Sequence, residues 1–257
     1  MPSTRNKKAT VYLGIDGCRG GWVVVRCDTT PAFLPPVEIH SEIRALKRSI
    51  QNAGYALIDM PIGLVQADST YRTCDILARE LLQHRRSAIF FPPVREALAA
   101  RSYAEACTIN HRISGKKLSI QAWNIVPRIR QLDLFLRTYP ELLVRIRESH
   151  PELCFMALNG GSPLPWNKRC HTGFALRMAL LAERVPNAKA FLSQALEGLP
   201  GRQVSRHDVV DAMVLALHAF LGDQQGFRSL PDPPPTDTLG LPMAIYYARC
   251  DCPFANR

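Results

Sequence analysis

One stretch near the carboxyl end of the chain is apolar on almost every side of the helix it would form. Val209 to Leu221 is interrupted only by Asp211 and His218, and Ser205 stands where a helix cap is expected. The run is too short to cross a bilayer, which takes about 20 apolar residues. We therefore expect a buried closing helix in a soluble protein.

The amino-terminal part of the chain supplies strands on which such a helix could pack. Val11 to Asp16 and Trp22 to Arg26 flank a glycine-rich turn, which predicts a hairpin. A third strand is expected near Val37 to His40, and Ala56 to Asp59 is a short apolar strand that ends at an acid. Three hairpin-connected strands, a helix, a further strand and a closing helix predict a mixed α/β layer.

The remaining pattern is mostly helical, and we interpret residues 1–257 as a single domain with a helical insertion at about 69–138. Beyond the insertion, a Pro-rich linker over 224–241 is expected before a carboxyl-terminal strand. The expected helices are Glu42 to Asn52 capped by Ser41, Ser69 to His84, Tyr103 to Arg112, Ser119 to Arg137 with a kink at Pro127, and two that start at Thr172 and Asn187. The expected later strands are Leu143 to Glu148 and Met243 to Tyr247.

The chain is basic, with 32 Lys and Arg against 22 Asp and Glu, a net charge of +10. Residues 61–140 alone hold 12 basic and 6 acidic side chains, an excess of +6. Such a surface suits a polyanion such as nucleic acid, although a solvated basic face without a partner explains the charge equally well. Because no apolar segment follows the basic amino terminus, we expect a cytoplasmic protein, with no membrane partner and with reduced, buried thiols.

Four aspartates stand where apolar periodicity would not place them. Asp16 and Asp59 end strands, while Asp208 and Asp211 share one face of the closing helix. Buried carboxylates must be paired or bound to a metal, and Mg²⁺ or Mn²⁺ would resolve the repulsion among acids that converge. Each acid also has a structural explanation: Asp16 as a turn residue, Asp59 as a loop cap and Asp208 as part of a capping box after Ser205.

Five sequence blocks, in order, resemble the signature blocks of the domain-of-unknown-function family 429, whose members are described as predicted nucleases with an RNase H-like fold. The blocks are Gly14-Ile-Asp-Gly-Cys-Arg-Gly-Gly-Trp22, Ile58-Asp-Met-Pro-Ile-Gly-Leu64, Arg72-x-Cys-Asp75-x-x-Ala-Arg79, His150-Pro-Glu152 and Asp208-x-x-Asp211-Ala212. The acids are also similar in order to those of RNase H-like Holliday-junction resolvases. The resolvase pattern has Glu at the position of Asp59, so this ligand would reach less far.

The resemblance implies an α/β protein with an RNase H-like mixed sheet, flanking helices and a helical insertion. It also implies that Asp16, Asp59, Asp208 and Asp211 bind the metal. Glu152 joins them as a candidate catalytic residue, and Glu148 and His150 could be a further ligand and a proton carrier. Glu152 could equally begin a helix, where an acid favours the positive end.

Basic side chains that could hold phosphates lie mostly in the insertion. The candidates are Arg19, Arg72, Arg79, Arg85, Arg86, Arg95 and Lys168. Phe90 and Phe91 could stack on unpaired bases or could simply pack within their loop. Arg72 could instead form an i, i+3 ion pair with Asp75.

These observations predict a divalent-metal-dependent nuclease that hydrolyses phosphodiesters by a two-metal mechanism. One alternative is a non-catalytic nucleic-acid-binding protein on the same fold. A second is an actin-like or sugar-kinase-like ATPase, because Asp16-Gly17 followed by Gly20-Gly21 could form a phosphate hairpin. That architecture normally needs two copies of the fold and a second glycine-rich loop, which the sequence lacks.

Overall fold

The computed structural model describes residues 10–66, 70–199 and 202–250, and its centre is a mixed sheet of five strands. The strands are β1 (Tyr12–Cys18), β2 (Gly21–Cys27), β3 (Phe33–His40), β4 (Ala56–Ile58) and β5 (Ile146–Glu148). Their order is β3-β2-β1-β4-β5; β1, β2 and β3 are antiparallel neighbours, and β4 and β5 run parallel to β1. A separate antiparallel pair consists of β6 (Phe227–Leu230) and β7 (Ile245–Ala248).

Helices cover both faces of the five-stranded sheet. They are α1 (Lys47–Asn52), α2 (Thr73–Leu82), α3 (Tyr103–Ser114), α4 (Ile120–Thr138), α5 (Pro151–Leu158), α6 (His171–Arg184), α7 (Ala188–Gly198) and α8 (Arg206–Gln225). Short 3-10 helices occupy Ile43–Leu46, Gln83–Ala88, Arg95–Ala99 and Pro140–Val144. Within the described ranges, no helix combines the length and the apolar character needed to cross a membrane.

The sheet separates two cores because its central strands are apolar on both faces. Tyr12 and Val23 point into a core shared with α5, α6, α7 and α8, whereas Leu13 and Trp22 point into a core shared with α1, α3 and α4. Helix α2 contributes to the first core and α4 to the second. The segment between β4 and β5 is therefore packed against both sides of the sheet.

Helix α8 lies directly against β1 because Gly14 has no side chain. A Cβ atom at Gly14 would lie 1.9 Å from the carbonyl oxygen of Ala212 and 2.3 Å from the backbone nitrogen of Ala216. Both are backbone atoms of α8, so they could not move aside without moving the helix. This close approach brings Asp211 on α8 beside the carboxyl half of β1.

The mixed α/β fold with flanking helices, consistent with an RNase H-like fold, confirms the predicted fold class. Buried thiols are also confirmed for Cys18, Cys27, Cys74 and Cys154, which are free cysteines.

Several predicted boundaries were wrong. Residues 43–46 form a 3-10 helix, so Ser41 does not cap α1, and residues 140–144 are helical where a strand was predicted to begin. Helix α2 starts at Thr73, and the predicted start at Ser69 lies outside the described residues. Strand β6 occupies part of the predicted linker 224–241, because it pairs with β7, which the local sequence does not reveal.

Candidate active site

Three of the predicted acids line one cleft of about 410 Å³ at the carboxyl ends of β1 and β4. Asp16 is the fifth residue of β1, and Asp59 directly follows β4, where its backbone nitrogen donates to the carbonyl oxygen of Ile15 at 2.9 Å. Asp211 comes from α8, on the helix face that packs against β1. The three acids are distant in sequence, so only this strand–helix arrangement brings them together.

Burial and mutual repulsion disfavour the charged forms of these acids. Removal from water raises the pKa of Asp16 well above its ordinary value, and the charges of Asp59 and Asp211 raise it further. Burial likewise raises the pKa of Asp59, and it raises the pKa of Asp211 to about 6 even though Lys168 opposes the shift. Shifts of this kind, in a cleft, are typical of functional sites.

Lys168 is the cation closest to the cluster. Its Nζ forms an ion pair with Oδ2 of Asp211, and its charge lowers the pKa values of Asp16 and Asp59 as well. Although burial opposes the shift, Asp211 and Asp16 raise the pKa of the ammonium group itself. One ammonium group thus faces three carboxyl groups and pairs directly with one of them, Asp211.

Glu152 lies at the edge of the same cleft and is held by two arginines. Its Oε1 accepts from Nη2 of Arg177 at 2.6 Å and from Nη2 of Arg85 at 3.2 Å. Although burial alone would raise it, these two cations hold the pKa of Glu152 below its ordinary value. Its Oε2 is buried and accepts no hydrogen bond from the described residues.

Asp208, which was predicted as a metal ligand, forms part of the N-terminal cap of α8. Its Oδ2 accepts from the backbone nitrogen of Ser205 at 2.8 Å, and its own nitrogen donates to Oγ of Ser205 at 3.3 Å. This reciprocal pair of hydrogen bonds is the capping box that the sequence offered as one explanation of Asp208. Asp208 does not line the cleft, and its effect on Asp16 is electrostatic: its charge contributes to the raised pKa of Asp16.

A second acidic cluster adjoins the first, and its members Asp75 and Glu148 line the same cleft. Within the described part of the chain, Cys74, Asp75 and Glu148 are the one set of three side chains whose potential ligand atoms lie within 4.8 Å of one another. The guanidinium of Arg72 already serves this cluster, with Nη2 at 2.6 Å from Oδ1 of Asp75 and 2.7 Å from Oε1 of Glu148. A cation therefore already neutralises this possible metal-binding cluster, and the residues fit a structural ion-pair network better than a metal site.

The Arg72 network holds the chain segment that follows Asp59. Nη1 of Arg72 donates to the carbonyl oxygens of Ile62 and Gly63 at 3.1 and 3.2 Å. Oε2 of Glu148 accepts from the nitrogen of Ile62 at 2.6 Å. Arg72 was predicted to bind substrate and Glu148 was considered as a ligand, but both side chains are buried and engaged in these contacts.

The other predicted basic residues divide into two groups. Arg85 and Lys168 line the cleft. Arg79 and Arg95 lie outside it: Arg79 donates to the carbonyl oxygens of Arg86 and Ile89, and Arg95 pairs with Asp133. Arg19 and Arg86 are exposed and do not line the cleft either.

Several cleft residues were missed by sequence reasoning. Arg128 on α4 donates from Nε to the carbonyl oxygen of Gly21 at 3.2 Å, and Asn167 and Arg169 flank Lys168 in a loop. In the sequence, Arg128 looks like any other polar residue on an amphipathic helix, so its place in the cleft could not be predicted. The clustering of Lys168 with Arg169 was the only available hint for the loop.

The cleft fits a divalent cation in its chemistry. All ligands that Asp16, Asp59, Asp211 and Glu152 could offer are carboxylate oxygens, the donors that Mg²⁺ and Mn²⁺ prefer. Asp16, Asp59 and Asp211 are not among the sets with ligand atoms within 4.8 Å, so all three would share one ion only after side-chain rotation.

His150 completes the rim of the cleft. It is the N-cap of α5, and its Nδ1 accepts from the nitrogen of Glu152 at 3.2 Å. Because Nδ1 accepts, a neutral imidazole carries its proton on Nε2.

Comparison with known proteins placed the chain in a family but found no characterised relative. Neither a curated protein nor a solved structure matched the sequence. The family described as Protein of unknown function (DUF429) matched residues 14–236, a span that includes all the acids of the cleft. The chain therefore belongs to the DUF429 family.

Proposed function

We propose that the protein is a divalent-metal-dependent nuclease whose ions are held by Asp16, Asp59 and Asp211, with Glu152 at the edge. The observation that carries the proposal is the convergence of three carboxylates from β1, β4 and α8 in one cleft, with raised pKa values and a single ammonium beside them. When bound, Mg²⁺ or Mn²⁺ would supply Lewis acidity for phosphodiester hydrolysis.

The other cleft residues have roles that follow from their chemistry. Arg85, Arg128 and Arg169 bind and orient a phosphodiester, since guanidinium forks match phosphate oxygens. His150 is positioned to give or take a proton at Nε2, because its Nδ1 is engaged by the backbone of α5. Asp211 would hold an ion only with Lys168 displaced from the ion pair, and the freed ammonium group would then be available to a substrate phosphate.

A non-catalytic nucleic-acid-binding protein is the second candidate, and the Lys168–Asp211 ion pair favours it. If the ammonium permanently neutralises Asp211, no divalent ion is needed. The ATPase alternative finds less support, since the described residues contain one five-stranded sheet rather than two related ones.

Asp16→Asn separates these candidates. We expect millimolar Mn²⁺ to raise the Tm of the wild-type protein, because an ion that binds only the folded state stabilises it, by about 2.7 kcal/mol at 100 times its Kd. Asp16→Asn should lose this shift and any metal-dependent cleavage of labelled single strands, duplexes and hybrids. Without metal it should be at least as stable as wild type, because one source of repulsion is gone.

The matched control is Asp208→Asn. This variant makes the same change at the capping-box acid of α8, one turn before Asp211. We expect this variant to keep both the Mn²⁺ shift and the cleavage. Full Mn²⁺-dependent cleavage by Asp16→Asn would refute the ligand assignment. If metal does not raise the Tm of the wild-type protein but the protein binds nucleic acid, the non-catalytic binding protein is the better assignment. ATP hydrolysis is measured in parallel to test the ATPase alternative.

A further inference from the structure

Two exposed aromatic rings stand on segments that line the acidic cleft. Phe90 is itself a lining residue and is 43% exposed. Trp166 is 47% exposed and directly precedes Asn167, Lys168 and Arg169, all three of which line the cleft. Large aromatic side chains normally bury most of their surface, so exposure of both beside one cleft calls for an explanation.

The backbone on either side of each ring is fixed. Next to Phe90, Ile89 is buried, and the ring of Phe91 stacks on Tyr71 with centroids 3.7 Å apart. The carbonyl oxygen of Trp166 accepts from Nη1 of Arg177 at 3.2 Å. Gly173 on α6 packs so tightly against this loop that a Cβ atom would lie 2.1 Å from the carbonyl oxygen of Asn167.

The two rings themselves have no aromatic partner among the described residues, in contrast to Phe91. Loop packing therefore explains Phe91 but leaves the surfaces of Phe90 and Trp166 available. Rings that are held on rigid segments and left uncovered offer flat faces to a ligand at little cost in conformational entropy.

The neighbouring charges indicate which ligand these faces suit. Arg85, Arg128 and Arg169 line the cleft together with Phe90, so cations for phosphates and a π-face for a base occur side by side. A duplex keeps its bases stacked inside and presents only their edges in the grooves, so it cannot use such rings. A single strand exposes both faces of each base and stacks on aromatic side chains regardless of sequence.

We propose that this cleft accepts a single strand of nucleic acid, with unpaired bases stacked on Phe90 and Trp166 while its phosphates contact the arginines. This inference rests on the proposed nuclease function for its catalytic meaning, but the binding it describes does not require turnover. It defines the substrate class as unpaired nucleotides rather than duplex.

Binding is tested in chelator, where no metal-dependent cleavage can occur. The probes are a labelled 12-mer oligothymidylate, the same oligomer with abasic positions, and a duplex of equal length. We expect the single strand to bind more tightly than the duplex or the abasic strand, although all three carry phosphates. Trp166→Ala and Phe90→Ala should each weaken binding of the single strand by about 5- to 100-fold, whereas Trp166→Phe and Phe90→Tyr should restore most of it.

Tryptophan emission supplies an independent signal. Trp22 is fully buried and Trp123 is half-buried, so quenching by the oligothymidylate should come mainly from Trp166 and disappear in Trp166→Ala. The control variant is Leu134→Ala, which removes an exposed apolar side chain on α4 that does not line the cleft and should leave affinity unchanged.

An affinity for the duplex or the abasic strand equal to that for the intact single strand, or unchanged affinity in both alanine variants, would overturn the stacking proposal. These outcomes are separate from those that test the nuclease. Cleavage of duplex by a protein whose tryptophan emission ignores single strands would remove the stacking proposal and leave the nuclease. Stacking of single strands without any metal-dependent cleavage would support the stacking proposal and remove the nuclease.

Discussion

His218 is a buried residue whose protonation opposes folding, although it plays no part in the cleft. It is fully buried in α8, and its Nδ1 accepts from the backbone nitrogen of Ala248 on β7 at 3.1 Å. Burial lowers the pKa of His218 to about 3, so the imidazole is neutral in the folded protein. In the unfolded chain it takes up a proton below about pH 6.5. Stability due to this residue is therefore complete above that pH and is lost as the pH falls toward 3.

The first prediction concerns His218→Asn, whose amide oxygen can take the place of Nδ1 but does not titrate. When the pH falls from 7 to 5, titration of His218 should lower the unfolding free energy of the wild-type protein by about 2 kcal/mol. The variant should not show this loss. The raised pKa values of Asp16 and Asp211 act oppositely, because the folded state then takes up protons first, and they are common to both proteins. Urea denaturation at both pH values measures the difference, and equal losses would contradict the assignment.

At the scale of elements, the site depends on how closely β1 and α8 approach. Gly14→Ala would place a methyl group against backbone atoms of α8, so the helix must shift outward and take Asp211 with it. We expect a loss of about 1–3 kcal/mol in unfolding free energy, typical of overpacking, and a weaker Mn²⁺ shift in Tm. Gly198→Ala is the control, because a Cβ atom there meets nothing within 4 Å and should change stability by at most about 1 kcal/mol. Equal stability of Gly14→Ala and wild type would show that α8 can move away from β1 without a loss of stability.

The sequence predicted those elements whose signals are local. The β1–β2 hairpin has alternating residues around a glycine turn, and α8 has a cap followed by an apolar run, so both were found. Residues 43–46 and strand β6 were missed, because a 3-10 turn resembles the start of a helix and an isolated strand acquires its identity from its partner β7.

The candidate site shows the same division. Asp16, Asp59 and Asp211 stood out because acids interrupt apolar patterns, and the cleft brings them together. The engagement of Arg72 by Glu148 could not be predicted, since 76 residues separate them. Asp208 had two explanations that the sequence could not distinguish, and the capping box accounts for its position.

For the whole molecule, the net charge of +10 bears on the proposed binding of nucleic acid. Much of the basic excess is internal: Arg72, Arg95 and Arg177 neutralise acids of the same chain. The arginines available to phosphates are therefore fewer than composition suggests, and Arg169, exposed on the cleft, is the clearest of them.

This distribution predicts that Arg169→Gln reduces the salt dependence of single-strand binding, while Arg19→Gln, at an exposed residue that does not line the cleft, does not. Each phosphate contact on a single strand contributes about −0.7 to the slope of log affinity against log salt concentration. The slope for Arg169→Gln should therefore be smaller in magnitude by about 0.7. Titrations of an oligothymidylate at several salt concentrations measure it, and parallel lines for Arg169→Gln and wild type would make Arg169 a solvated surface residue.

The direct contact of β1 with α8 also sets when the carboxylate cluster can first form during synthesis of the chain. Asp16 is made early, but Asp211 follows 195 residues later. At about 5–20 residues per second, a ribosome takes roughly 10–40 s to cover that distance. During this interval the nascent chain carries first Asp16 and then also Asp59, and α8 must emerge before Asp211 can complete the cluster.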